Sequence, residues 1–494
     1  MTRLRLSEAT LAQLRPGTIR PDYARRACCV GWVHFGPGAF HRAHQAYYAD
    51  RLLARDPHWA VSAVALHSDA VRSALLPQDY LYCLAELGPG APLRVIGALH
   101  EILHAPTEPA AVFARLESPA TRLITLTVTE KGYCLAGGAL DPAHPDIEHD
   151  LASPEQPRSV IGFLTEGLRR RYAAGHRACA VVSCDNLADN GAMLRAAVLA
   201  FAARRSAPLA HWIEQAVAFP RTMVDSITPA TDAPLRERVA LATGLTDAWP
   251  VQRETFTQWV IEDVPAMRIA DWASVGVQLT RDVTVYEQAK LRLLNAAHST
   301  LAYVGLLRGH TIVAEAMTDA ALAHLVEQLM RKDIAPCLSA GGRIDIDAYI
   351  EATLARFRNP SVHHRLEQIA WDGSQKLPVR LLPTLTEALA AGRPLERLAV
   401  PVAAWIRFIV ERARSGRELT DPLAGQLLAR ARECPGDPTR DVARFLELQA
   451  VFPQPLAAAA AFRSAVVAAY RALSAAGALA GDDEHGVSRC DPVE

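Results

Sequence analysis

Two textures of apolar and polar positions divide this chain. In its first part, short and nearly continuous apolar runs at Val30 to Phe35, Ala60 to Leu66, Leu123 to Val128 and Ala178 to Ser183 read as buried strands. Helical patterns lie between them, in AFHRAHQAYYADRLLAR after the first run and over Pro157 to Tyr172 before the last. From about Tyr286 the strand-like runs nearly vanish, and alanine- and leucine-rich helical periods take over. Ile312 to Lys332, Asp345 to Phe357, Leu381 to Ala391, Pro401 to Ser415 and Pro422 to Glu433 are the candidates, the last with Asp421 and Pro422 as a cap and first-turn pair. Leu456 to Ala469 reads as a packing helix, and no fixed-period repeat is present. The pattern predicts an α/β N-terminal domain over residues 1–285 and a mostly α-helical C-terminal domain over 286–494, with a frayed tail from about 481.

At 494 residues the chain exceeds what one core usually serves, which agrees with two domains. A net charge of -1 gives no electrostatic case for nucleic acid or a membrane surface. No N-terminal apolar stretch resembles a signal peptide, so a cytoplasmic location is expected. Nine scattered cysteines without a C-x-x-C framework predict reduced thiols. The histidine pairs His41/His44 and His363/His364 bring no convincing partner set, so no metal is expected.

The run at Val30 ends in Gly36, Pro37 and Gly38 and leads into a helix. A strand, a glycine turn and a helix open a dinucleotide-binding unit, in which Gly36, Gly38, Ala39 and Phe40 would approach a pyrophosphate. That identifies the first domain as Rossmann-like. The third glycine of the usual fingerprint is replaced by His41. Asp69, beyond the second strand, is the candidate for the ribose hydroxyls, although an Asp there is as readily a helix cap. Asn186 and Asp225 follow or end later apolar runs, and either serves equally well as a turn residue.

The stretch EQAKLRLLNAAHSTLAYVG, Glu287 to Gly305, reads as one helix. On a wheel of about 100° per residue, Glu287, Lys290, Asn295 and His298 share one broad face with Leu291 and Leu294. A solvated helix side would carry such residues too. The string K-x-R-x-L-N-x-x-H-S, however, resembles the catalytic signature of the mannitol dehydrogenase family, the long-chain polyol-specific dehydrogenases. GPGAFHRAHQ, TEKGYC, CDNLADNG and TMVDSITP resemble further motifs of that family in the same order.

The resemblance implies an NAD-dependent, metal-independent oxidoreductase that interconverts a secondary alcohol and a ketone on a small sugar acid or polyol. It implies Lys290 as the base, Asn295 and Asn186 as amide donors to the alkoxide, His298 as holder of the substrate oxygen or of Lys290, and Glu287 as a proton relay. It assigns Gly36, Gly38, Ala39, Phe40, Asp69 and Asp225 to the cofactor and Lys376 to the substrate. A lysine near its ordinary pKa of ~10.4 is protonated, so the base role demands a site that lowers it. Mannitol 2-dehydrogenases tend to carry Arg and His where this chain has Gln368 and Trp371, and TEKGYC resembles the fructuronate reductases. D-fructuronate to D-mannonate is therefore the expected reaction. A ketose/polyol couple such as fructose and mannitol, or arabinitol, is the alternative. A catalytically silent NAD-binding sensor is a third reading, from a different class. Oligomeric state is not legible.

Overall fold

The computed structural model describes residues 3–88, 90–338 and 344–481, and the side chains of 475–481 are not among its described parts. The expected frayed tail lies almost wholly outside the described residues. The chain divides after Thr284 into two units.

The first unit is built on five parallel strands: β1 (Val30–Phe35), β2 (Ala60–Ala65), β3 (Leu99–His104), β4 (Leu123–Leu126) and β5 (Ala180–Ser183). Their spatial order is β5-β4-β1-β2-β3, every pairing parallel. Side chains alternate across the sheet, and both faces are covered. Trp32 belongs to one apolar cluster with Trp59, Trp259 and Trp272, whereas Val33 and Phe35 belong to another with Phe113, Phe163 and Phe201. Burial on both faces explains why these strands read as continuous apolar runs. The order reverses between β1 and β4, the switch point at which open α/β sheets hold ligands.

Several apolar runs end earlier than expected because turns take over. The run at Leu123 stops at Leu126, and Thr129 adopts φ 66°. The helix after β1 splits at His44 into Ala39–Ala43 and Gln45–Leu53, since His44 sits at φ -121°, ψ -84°. Smaller sheets were not legible, among them Thr222–Asp225, Gln258–Glu262 and Val277–Thr280, because their strands are short and half polar.

The second unit contains no extended strand among its described residues. Glu396–Ser415 is its long central helix, packed on Ala296–Leu307 and Ala460–Gly481. It starts before Pro401, which therefore lies inside the helix rather than at its head. The helix expected over 287–305 has an unexpected middle. Thr284–Ala289 is α-helical, Lys290–Asn295 is a π turn, and Ala296–Leu307 is α-helical again. A π turn bonds i to i+5, so each residue there turns by less than the α-helical 100° and the simple wheel fails. Ile312 to Lys332 also breaks, into Val313–Ala316, Ala320–Gln328 and a second π turn at Leu329–Ile334.

Candidate active site

At the carboxyl end of β1 the chain turns through Gly36 at φ 95°. A Cβ there would lie 2.2 Å from the carbonyl oxygen of Thr127, so the position admits only glycine. Thr127 closes the turn from the β4 side: its N–H donates to Phe35 O at 2.9 Å and its hydroxyl to Gly36 O at 2.8 Å. The switch point is thus stitched together by backbone and one threonine. Gly38 caps the following helix and is exposed, and a Cβ on it would meet nothing nearer than Gly36 O at 4.0 Å. That open space faces the first turn formed by Ala39 and Phe40, whose N–H groups have no intrahelical acceptors. A pyrophosphate fits such a cradle.

Where the fingerprint's third glycine would stand, the His41 ring stacks on His34 at 3.4 Å between centroids and 13° between planes. Both rings are wholly buried. Burial pushes His34 down to about 3 and His41 well below the usual imidazole range, so both are neutral. Arg42 and His44, on the same helical stretch, are buried too. Arg42 donates to Trp249 O at 2.7 Å, and His44 Nε2 lies 2.9 Å from Gln258 O.

Asp69 stands four residues beyond β2 at the head of the helix Ala70–Leu75. Its carboxylate accepts from Ser73 Oγ and lies 3.4 Å from Arg72, and these contacts hold it below the usual carboxylate range. Asn186 is exposed just past β5. Asp225 is buried at the end of its strand, opposite Gln258.

Asp185, which the sequence did not single out, ties two of the quoted motifs together. Its carboxylate accepts the N–H groups of Val128 (3.1 Å) and Thr129 (3.0 Å) and the Tyr133 hydroxyl (2.7 Å). Tyr133 Oη lies 2.6 Å from Ser183 Oγ. Burial raises the Asp185 carboxyl, and the three donors work against that rise.

In the second unit, Lys290 opens the π turn and is buried, 8% exposed, with Glu287 half-buried before it. Asn295 closes the turn. A π turn disturbs the regular carbonyl pairing, and here Arg380 donates to the Asn295 carbonyl at 3.4 Å and to Ser299 Oγ at 3.2 Å. His298 is buried against Phe357 (4.6 Å) and His364 (5.1 Å), and its Nε2 has no hydrogen-bond partner among the described residues. Burial first, then His364, Arg356, Arg380 and Lys376, push His298 well below its usual range. Burial and the same cations bring His364 to about 4.

Lys376 and Arg380 lie on the helix Gly373–Arg380. Lys376 Nζ donates to Ile369 O at 3.2 Å. Burial and then Arg380 lower Lys376 to about 8, and burial lowers Arg380 to about 10. Gln368 and Trp371 are exposed, Trp371 by 41%.

The described residues also bring Cys134, His144 and Asp146 within 4.8 Å of one another, a trio of possible metal donors that the spacing of histidines did not suggest. His144 Nδ1 already accepts the Asp146 N–H at 3.2 Å, and both residues head the helix Pro145–Ala152, where the dipole disfavours a cation. Eight cysteines are free thiols among the described residues. No helix of the described residues is long and apolar enough to cross a membrane.

A parallel sheet of Rossmann order with a glycine turn at its switch point, followed by a helical unit carrying buried Lys290 and His298 and half-buried Asn295 on one interrupted helix, defines a two-domain dehydrogenase. The family models describe both parts: residues 30–272 match the mannitol dehydrogenase Rossmann domain, and residues 282–474 match the mannitol dehydrogenase C-terminal domain. The chain belongs to the mannitol dehydrogenase family and is an oxidoreductase of that family.

Among its relatives, D-mannonate oxidoreductase of Escherichia coli K12 is 40% identical, over 90% of this chain and 93% of its own length. Mannitol 2-dehydrogenase of Phaeosphaeria nodorum is 38% identical over 90% of this chain and 82% of its own. The structure of Pseudomonas fluorescens mannitol 2-dehydrogenase in ternary complex with NAD and D-mannitol superposes with a TM-score of 0.84 at 37% identity, covering 97% of this chain and 99% of that one.

Proposed function

We propose that this protein is an NAD-dependent reductase of a sugar acid, interconverting D-fructuronate and D-mannonate. The observation that carries the reading is the half-buried pair Lys376 and Arg380 beside Asn295 and His298, in which burial disfavours both cations and Arg380 further disfavours that of Lys376. A substrate carboxylate would relieve that excess of positive charge, and a neutral polyol would not. A relative that carries the sugar acid in its name, the D-mannonate oxidoreductase, supports the same reading. Mannitol 2-dehydrogenases at similar identity support the ketose/polyol alternative.

Bound NAD supplies the hydride acceptor for oxidation of the alcohol. Lys290 takes the hydroxyl proton, and in reduction its protonated form donates to the carbonyl oxygen. Asn295 donates an amide N–H to the developing alkoxide, and Asn186 carries the second amide in the family's pattern. His298, neutral by burial and with Nε2 unbonded, accepts or donates one hydrogen bond to the substrate oxygen or to Lys290. Glu287 passes the proton on to solvent. An ammonium and two amides polarise the oxygen without a Lewis acid, so we read the reaction as metal-independent.

The test is kcat/KM on mannonate, altronate, mannitol, arabinitol and sorbitol with NAD and with NADP, repeated after EDTA treatment. Mannonate with NAD should lead the panel and resist EDTA. Mannitol in the lead would put the polyol couple in its place, and tight NAD binding without turnover on any member would leave a sensor.

A further inference from the structure

We infer that Asp185 is a cofactor-selecting residue whose carboxylate favours the cationic, oxidised nicotinamide ring over the neutral, reduced one. This rests on the reading that the first unit binds NAD. The strand order β5-β4-β1-β2-β3 forms two mononucleotide halves that meet at the Gly36 turn. Asp69 follows β2, so the adenosine half lies over the β1–β3 side. The nicotinamide half then falls to the carboxyl ends of β4 and β5, which carry Val128–Thr129 and Asp185 respectively.

At those two strand ends Asp185 provides a formal negative charge that no Lys or Arg among the described residues pairs with. Its donors are two backbone amides and a phenol, all uncharged. The surroundings are desolvated, so the charge is weakly screened. An uncompensated carboxylate gains by facing a ring that carries positive charge only when oxidised. Holding Val128 and Thr129 would be served as well by a neutral acceptor, so the loop alone does not call for a charge.

The experiment measures dissociation constants of NAD and NADH for the wild type, Asp185→Asn, Asp185→Glu and Tyr133→Phe by quenching of protein fluorescence. Asp185→Asn should weaken NAD relative to NADH by roughly fivefold to tenfold, the size of one charge–charge interaction at several ångströms in a partly solvated cleft. Asp185→Glu should keep the wild-type ratio. Tyr133→Phe, which loosens the same loop and keeps the charge, should move both constants by one factor. Should Asp185→Asn not fold, Asp185→Ser repeats the charge removal with room for water. Equal weakening of NAD and NADH by Asp185→Asn or Asp185→Ser would overturn the inference and leave a loop support. A wild type that binds neither nucleotide would overturn the NAD reading itself.

Discussion

The guanidinium of Arg380 holds the backbone carbonyl of Asn295 at 3.4 Å, at the point where the π turn returns to α-helix. One side chain therefore braces the residue assigned to the alkoxide, and does so from a separate helix. Replacing Arg380 by Met should lower kcat by about tenfold or more through misplacement of Asn295, with NAD affinity unchanged within a few fold. Steady-state kinetics alongside NAD titration checks this. Loss confined to KM would assign Arg380 to the substrate instead.

Lys290→Ala should lower kcat by roughly 10² to 10⁴, the range for loss of a general base, while NAD binding stays within a few fold. Asn295→Ala should fall mainly on kcat too, by about 10² or more. Single-turnover measurements separate the chemical step from product release, and near-wild-type turnover in either variant would remove its assigned role.

Lys376→Met should damage mannonate turnover more than mannitol turnover, because a charge-assisted contact contributes about 1.5 to 3 kcal/mol and only the acid can make one. The comparison is kcat/KM for both substrates, with more than about a tenfold difference between the two losses expected. Equal losses would mean a hydroxyl contact or a supporting role.

The same lysine sets a pH dependence. Its pKa in the fold is depressed from 10.5 to about 8, so the ammonium is present in free enzyme below about 8 and is lost as pH rises through that value. Mannonate KM should therefore rise above pH 8, while mannitol KM stays flat. For stability the sign is opposite to that of a salt-bridged lysine. The fold binds fewer protons than the unfolded chain between about 8 and 10.5, so Lys376 makes the protein more stable as pH climbs through that window. Arg380, lowered only to about 10, stays charged where the KM change occurs.

Gly36→Ala should weaken both NAD binding and the fold. A side chain at φ 95° is strained by about 1 to 3 kcal/mol. The clash with Thr127 O at 2.2 Å adds to that, so the thermal midpoint should fall by several degrees. An unchanged melting curve would show that the turn can rearrange.

The fold class was legible because a strand buried on both faces must be apolar throughout, as Val30–Phe35 is, and because glycine at the switch point is a steric necessity. The substitution of His41 for the third glycine was visible, but its stacking on His34 was not, since nothing local announces that two imidazoles will be buried face to face. The kink at His44 and the burial of Arg42 follow from contacts with Trp249 and Gln258, more than two hundred residues away in sequence. Asp185 was hidden for a different reason: an Asp after a strand has the look of an ordinary turn residue, and only the loop it holds reveals more. The π turn was beyond reach because α and π registers share composition and differ in tertiary support, here from Arg380.

That turn also separates the register of the site from that of the core. The π segment amounts to one surplus residue in the helix that runs from Thr284 to Leu307, and Ala296–Leu307 is packed in the core through Leu301, Ala302, Tyr303 and Val304. Deleting a single residue between Lys290 and Asn295 would let the helix wind regularly and leave the downstream half in nearly its present phase, because the π turn spreads the rotation of an α-helical turn over one extra residue. The spacing of Lys290 and Asn295 is thus separable from the register of the core, and a deletion there would cost the chemistry while Ala296–Leu307 kept its packing.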